Sequence, residues 1–144
     1  MEQTKELYQE TILEHGQNPR NFGSIKKATY STEVFNPLCG DRCRVYLKTD
    51  GDNIRQVSFE GQGCLISIAS ASLMTEMLGG RTLKEASEIF RYFQGMVKSG
   101  NLRKKIELGK LAAFSGIAKF PQRVRCALLP WEAMRPFTKT TKYI

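Results

Sequence analysis

Apolar residues along the first part of the chain fall at helical intervals. Leu7, Tyr8 and Ile12, with Leu13 at the margin, form one stripe of residues 4–15 and predict an amphipathic helix. Asn18-Pro19-Arg20-Asn21-Phe22-Gly23 stops it, because proline and glycine so placed break the pattern. The period then drops to two. Short β segments are expected at Thr32–Phe35, Arg42–Thr49 and Ile54–Glu60, with Asp50-Gly51-Asp52-Asn53 as a hairpin signal. In the second segment Cys43, Val45 and Leu47 share one face and Arg44, Tyr46 and Lys48 the other, so the sheet buries a single face.

Beyond Gly61-Gln62-Gly63-Cys64 the helical period returns. Ala69, Leu73, Met77 and Leu78 pattern a helix over Ser67–Leu78, closed by Gly79-Gly80. Thr82-Leu83-Lys84-Glu85 has the form of a capping box and opens a helix of about 15 residues, striped by Leu83, Ala86, Ile89, Phe90, Phe93 and Val97. Ser99-Gly100-Asn101 breaks the chain again. A helical stretch around Glu107–Ile117 follows, then a last helix from about Gln122 past Trp131, in which Pro130 is expected to force a kink. Strands followed by a run of helices predict an α+β fold: a small antiparallel three-stranded sheet with helices packed on one face. Residues 1–144 read as one domain, with 136–144 as a basic C-terminal tail and no repeats or low-complexity tracts.

Composition changes this picture little; charge distribution changes it more. Hydrophobic residues at 41% and charged residues at 25% suit a globular protein, and no stretch nears the roughly 18 apolar residues of a membrane helix. Glu2, Lys5, Glu6, Glu10, Glu14 and Arg20 interrupt the apolar run a secretion signal would need, so a cytoplasmic location is expected. Residues 1–97 carry 11 basic and 12 acidic side chains, whereas 98–144 carry 11 basic ones against Glu107 and Glu132. Such a basic third is usually a solvated surface; as an interface it suits an acidic protein rim. Recognised nucleic-acid motifs and aromatic interleaving are missing, so no nucleic acid, no membrane and a monomeric chain are expected.

Four cysteines in a chain of this kind point toward metal or thiol chemistry rather than a disulfide framework. Cys39 and Asp41 lie two apart around Gly40, so in extended backbone a thiolate and a carboxylate project from one face. Cys64 precedes a helix, where unpaired N–H groups favour a thiolate. Cys126 is flanked by Arg123 and Arg125, which would lower its pKa. Buried cysteines also pack as small hydrophobes, and spacing without a CxxC pair leaves both readings open. Cys43 is assigned to the core by its parity with Val45 and Leu47. His15, the single histidine, sits at the end of the first helix, where nothing brings it to a cysteine, so Cys–His catalysis is not expected.

At these residues the chain resembles the U-type iron–sulfur assembly family, the SufU/IscU fold. The resemblance is carried by Pro19-Arg20-Asn21 with Gly23, Asn36-Pro37-Leu38-Cys39-Gly40-Asp41 and Gly61-Gln62-Gly63-Cys64. It continues through Ala69-Ser70-Ala71-Ser72-Leu73-Met74-Thr75-Glu76 and Arg123-Val124-Arg125-Cys126, with Leu128 and Trp131. It implies that Cys39, Asp41, Cys64 and Cys126 are metal ligands. Arg125, where IscU-type members carry a histidine, and the long segment before Cys126 place the resemblance nearest the SufU branch. The resemblance then implies zinc and a sulfurtransferase role, with persulfide sulfur taken from a cysteine desulfurase of the SufS type and passed to downstream iron–sulfur assembly proteins. Cys39 is the expected acceptor, with Arg125 supporting it. The alternative is a scaffold holding a [2Fe–2S] cluster on the same ligands; a purely structural zinc domain fits the scattered cysteines poorly.

Overall fold

The computed structural model describes residues 9–37, 40–101 and 108–138. Its elements are α1 (Glu10–Gln17), β1 (Tyr30–Phe35), β2 (Arg42–Asp50), β3 (Asn53–Gln62), α2 (Leu65–Leu78), α3 (Leu83–Ser99), a 3-10 helix (Gly109–Lys119) and α4 (Pro121–Thr138). The predicted order of helix, three strands and four helical segments is the observed one. Leu7 and Tyr8 of the expected first stripe lie outside the described residues; Ile12 is buried and Leu13 faces outward.

The sheet is antiparallel throughout, in the order β1-β2-β3. Asp50 pairs with Asn53 across a two-residue turn in which Gly51 takes φ +60°, a conformation that glycine adopts without Cβ strain. Lys48 pairs with Gln56 but Thr49 with Ile54, so Arg55 is the extra residue of a bulge. That bulge changes parity and lets Ile54 join Val57 and Phe59 on the buried face. Cys43, Val45 and Leu47 line the same face, as their alternation requires. At the far edge, Phe59 N–H donates to Asn21 O and Gly23 N–H to Phe59 O, so the Asn21–Gly23 segment covers β3.

α2 runs through the centre of the molecule. The sequence pattern predicts one apolar stripe, yet Ser67, Ser70, Ser72 and Thr75 are buried together with Ile66, Ala69, Leu73 and Met74. All four hydroxyls find partners within the fold, Ser67 Oγ donating to Cys64 O. Ser70 Oγ donates to Ala127 O, Ser72 Oγ accepts Arg20 N–H, and Thr75 Oγ1 donates to Ser72 O. α1 packs directly on α2 because Gly16 lacks a Cβ, which would stand 2.4 Å from Leu65 Cδ1. α3 begins at the predicted capping box, with Thr82 Oγ1 accepting Glu85 N–H and Glu85 Oε1 accepting Thr82 N–H, and ends at Gly100 in the left-handed region.

Two expectations are refined. The stretch around Glu107–Ile117 is a 3-10 helix over Gly109–Lys119, with Leu111, Phe114 and Ile117 buried; Glu107 lies outside the described residues. The last helix runs past Trp131 as expected, and continues through Pro130 and Pro136 to Thr138, so that it takes in the first residues of the expected tail; residues 139–144 lie outside the described residues. Packing outweighs the lost hydrogen bond: Trp131 is fully buried, stacked on Phe93 at 4.8 Å and tilted against Phe90 at 5.8 Å. Among the described residues no helix is long and apolar enough to cross a membrane.

Candidate metal centre

Three elements converge at one end of α2. Asp41 stands just before β2, in a turn closed by Asn36 N–H to Asp41 O and Gly40 N–H to Asn36 O, each 2.8 Å. Gly40 takes φ +76°, which lets the chain double back there. Asp41 is 3% exposed. Its Oδ1 accepts the backbone N–H of Cys64 at 3.1 Å, and its Oδ2 has no hydrogen-bond partner among the described residues. A buried carboxylate oxygen so left costs free energy unless a cation or donor reaches it.

Gly63 makes the approach possible. A Cβ there would stand 2.7 Å from Asp41 Cγ, from Asp41 Oδ1 and from Ser67 Oγ. Cys64 is the N-cap residue of α2, so its thiol lies where unpaired helix N–H groups and the helix dipole favour an anion. Ser67 Oγ donates to Cys64 O at 3.1 Å and fixes this first turn. Cys126 lies in the second turn of α4 and is 2% exposed, its Sγ 3.7 Å from Gln122 O. Pro130 has no N–H to offer the Cys126 carbonyl four residues earlier, so this turn of α4 lacks one of its own bonds.

One oxygen of Asp41 and the sulfurs of Cys64 and Cys126 all lie within 4.8 Å of one another. The two thiols shift one another in opposite directions. Cys64 is pushed down, to about 6, chiefly by the hydrogen bond with Cys126; burial opposes this, and the N–H groups of Ser67 and Ile66 reinforce it. Cys126 is pushed up by Cys64, then by burial, with Asp41 adding to both. The expectation that Arg123 and Arg125 would lower Cys126 therefore does not hold: Arg125 is exposed, and its charge is outweighed by the thiolate and carboxylate at the site.

The structure thus brings together Asp41, Cys64 and Cys126, while Cys39 lies outside the described residues. Cys43 is a core residue as its parity indicates, 4% exposed and pushed up to about 12, first by burial and then by Glu33. His15 stands apart from the cluster, buried between α1 and α2, with Nδ1 2.7 Å from Ser72 Oγ and Nε2 3.6 Å from Glu76 Oε1. The part played by Gly63 was not read from the sequence, although its place one residue before Cys64 was a signal. Two sulfurs and a carboxylate oxygen in a buried cluster, one oxygen unpartnered, suit a thiophilic divalent ion such as zinc, which takes four ligands in closed sites.

The sequence matches the NifU-like N terminal domain over residues 7–127. It is 40% identical over 128 residues to the zinc-dependent sulfurtransferase SufU of Bacillus subtilis, spanning 89% of this chain and 86% of that one. It is 35% identical over 133 residues to the iron–sulfur cluster assembly scaffold protein IscU of Streptococcus pyogenes, spanning 92% and 83%. Among solved structures, a candidate iron–sulfur cluster assembly scaffold for the SUF system from Fervidobacterium islandicum superposes with a TM-score of 0.85 at 34% identity, over 92% of this chain and 97% of that one. The N-terminal NifU-like protein of Brucella abortus gives 0.87 at 22% identity, over 96% of each chain, a likeness of fold alone.

Proposed function

The chain belongs to the NifU-like N-terminal domain family, which holds the iron–sulfur assembly proteins SufU and IscU, and we propose that it acts there as a zinc-dependent sulfurtransferase. Cys39, Asp41, Cys64 and Cys126 hold the metal, and Cys39 accepts sulfur from the persulfide of a cysteine desulfurase of the SufS type. The sulfur then passes to downstream iron–sulfur assembly proteins in the cytoplasm. The observation that carries the reading is the unpartnered Asp41 Oδ2 beside two cysteine sulfurs, with no histidine in the cluster among the described residues. The 40% identity to a zinc-dependent sulfurtransferase supports it.

Zinc, when bound, keeps its cysteine ligands deprotonated at neutral pH. The protein's own residues do the rest. Cys64 and Cys126 are tied to α2 and α4 and hold fixed positions. Cys39 belongs by sequence to the turn closed between Asn36 and Asp41, which makes it the acceptor. Its thiolate attacks the outer sulfur of the incoming persulfide; the S–S bond breaks, Cys39 gains the sulfane sulfur, and the desulfurase cysteine leaves as thiolate. Arg125, exposed beside Cys126, offers a positive charge to the arriving anionic sulfur.

A second reading is a scaffold for a [2Fe–2S] cluster on the same four residues, favoured by the likeness to IscU. Metal analysis with the visible spectrum of the purified protein separates the two. Colourless protein with one zinc that stimulates a desulfurase supports sulfur transfer. A brown cluster handed to an apo-acceptor overturns it in favour of the scaffold.

A further inference from the structure

Behind the cluster, α2 and α4 are joined by a polar tie. Ser70 is fully buried, six residues along α2 from Cys64, and its Oγ donates to the carbonyl of Ala127 at 2.5 Å. Trp131 Nε1–H donates to Ser70 Oγ in turn, at 3.0 Å. The Ala127 bond falls at the residue after Cys126, in the turn that Pro130 deprives of a backbone donor, and the Trp131 bond just beyond that proline. An α-helical turn short of its own bonds takes its orientation from outside ties, and Ser70 supplies one at the residue after the ligand. A rotation there would swing Cys126 Sγ relative to Cys64, whose own position is set by the start of α2. Zinc–sulfur bonds near 2.3 Å leave little room for that movement.

We propose that Ser70, assisted by Trp131, is a positioning residue that sets the placement of Cys126 against Cys64 and Asp41. The inference rests on the reading of those three residues as metal donors. Ser70 does not touch the metal; it fixes the helix turn from which Cys126 projects. Groups that hold a ligand from behind commonly cost roughly 10- to 100-fold in metal affinity when removed.

The test compares Ser70→Ala with Ser72→Ala, an equally buried hydroxyl on the same helix that is tied instead to His15 and Arg20. Zinc affinity is measured by competition with a chromophoric chelator. Ser70→Ala is expected to lose affinity by roughly tenfold or more and Ser72→Ala to keep it. On metal-free protein, alkylation mapped by mass spectrometry is expected to speed up several-fold at Cys126 in Ser70→Ala, with Cys43 staying protected. Equal zinc affinity for Ser70→Ala and wild type, an equal loss in Ser72→Ala, or Cys126 and Cys43 opening together would overturn the proposal. If Ser70→Ala does not fold, Trp131→Phe, which removes the N–H and keeps a ring, takes its place with the same outcomes expected in reduced size. Wild-type protein that binds no zinc would overturn the donor reading. The alkylation contrast needs no metal and judges the Ser70 tie separately.

Discussion

At the residue scale Asp41 gives the clearest observation, because one of its oxygens accepts Cys64 N–H and the other is buried without a partner among the described residues. Asp41→Asn keeps an acceptor for that N–H and removes the buried charge. Metal-free Asp41→Asn is expected to melt at or above the wild-type temperature, consistent with a burial cost of about 1 kcal/mol, while its zinc affinity falls. Thermal melts in chelator and metal competition read the two effects separately, and a large loss of metal-free stability would contradict the account. Gly63→Ala places a Cβ on the Asp41 carboxylate and the Ser67 hydroxyl. Both are side-chain ends that can move, so the fold should survive at a cost of about 1–3 kcal/mol, but the carboxylate is displaced and zinc affinity drops. Cys39, expected with the other three, lies outside the described residues, but Asp41, Cys64 and Cys126, which the fold brings together, were legible as candidates because a helix start and ordered family motifs are local features of sequence. The Cys126 pKa was not: neighbouring arginines are visible in sequence, but the thiolate from a different helix that outweighs them appears only after folding.

At the scale of elements, β2 was readable from strict alternation, and α3 from its capping box. Thr82→Ala is expected to cost about 1 kcal/mol of stability in denaturant unfolding and to leave zinc affinity unchanged, since the cap lies on α3 and outside the donor cluster. α2 was only half readable. Its serines and threonine look like a polar face until α1, the Arg20 segment and α4 supply their partners. The passage of α4 beyond Pro130 was readable, but its extension through Pro136 to Thr138 was not; Trp131 packed against Phe90 and Phe93 anchors that helix to the core. His15 links α1 to α2 and makes their contact pH-dependent. Its pKa is lowered below 6.5, mainly by burial, with Arg20 next and Glu76 opposing. As pH falls from about 6.5 through that lowered value, the unfolded chain takes up a proton that the folded one does not, so stability declines over that window. Above it the residue is neutral in both states. His15→Gln should flatten the decline between about pH 7 and pH 5 in urea unfolding; an unchanged slope would show that His15 does not set it.

For the whole molecule, a core built on Trp131, Phe59, Phe90, Phe93 and Phe114 lies behind a donor cluster assembled from the loop before β2, the start of α2 and the start of α4. A metal bridging these three elements should stabilise the whole fold: about 2.7 kcal/mol at a free zinc concentration one hundred times the dissociation constant. A chelator should lower the melting temperature correspondingly, and a melt indifferent to zinc would contradict a bridging site. The +8 net charge is concentrated by sequence in residues 98–144.

The central claim is that these cysteines handle sulfur at a zinc site and that Cys39 receives it. The most direct test incubates zinc-loaded protein with a cysteine desulfurase and free cysteine, then maps persulfide by mass spectrometry in wild type and in each cysteine variant. The account predicts one added sulfur on Cys39, lost in Cys39→Ala and retained in Cys43→Ala. Sulfur that still arrives in Cys39→Ala but fails to arrive in Cys126→Ala would contradict it.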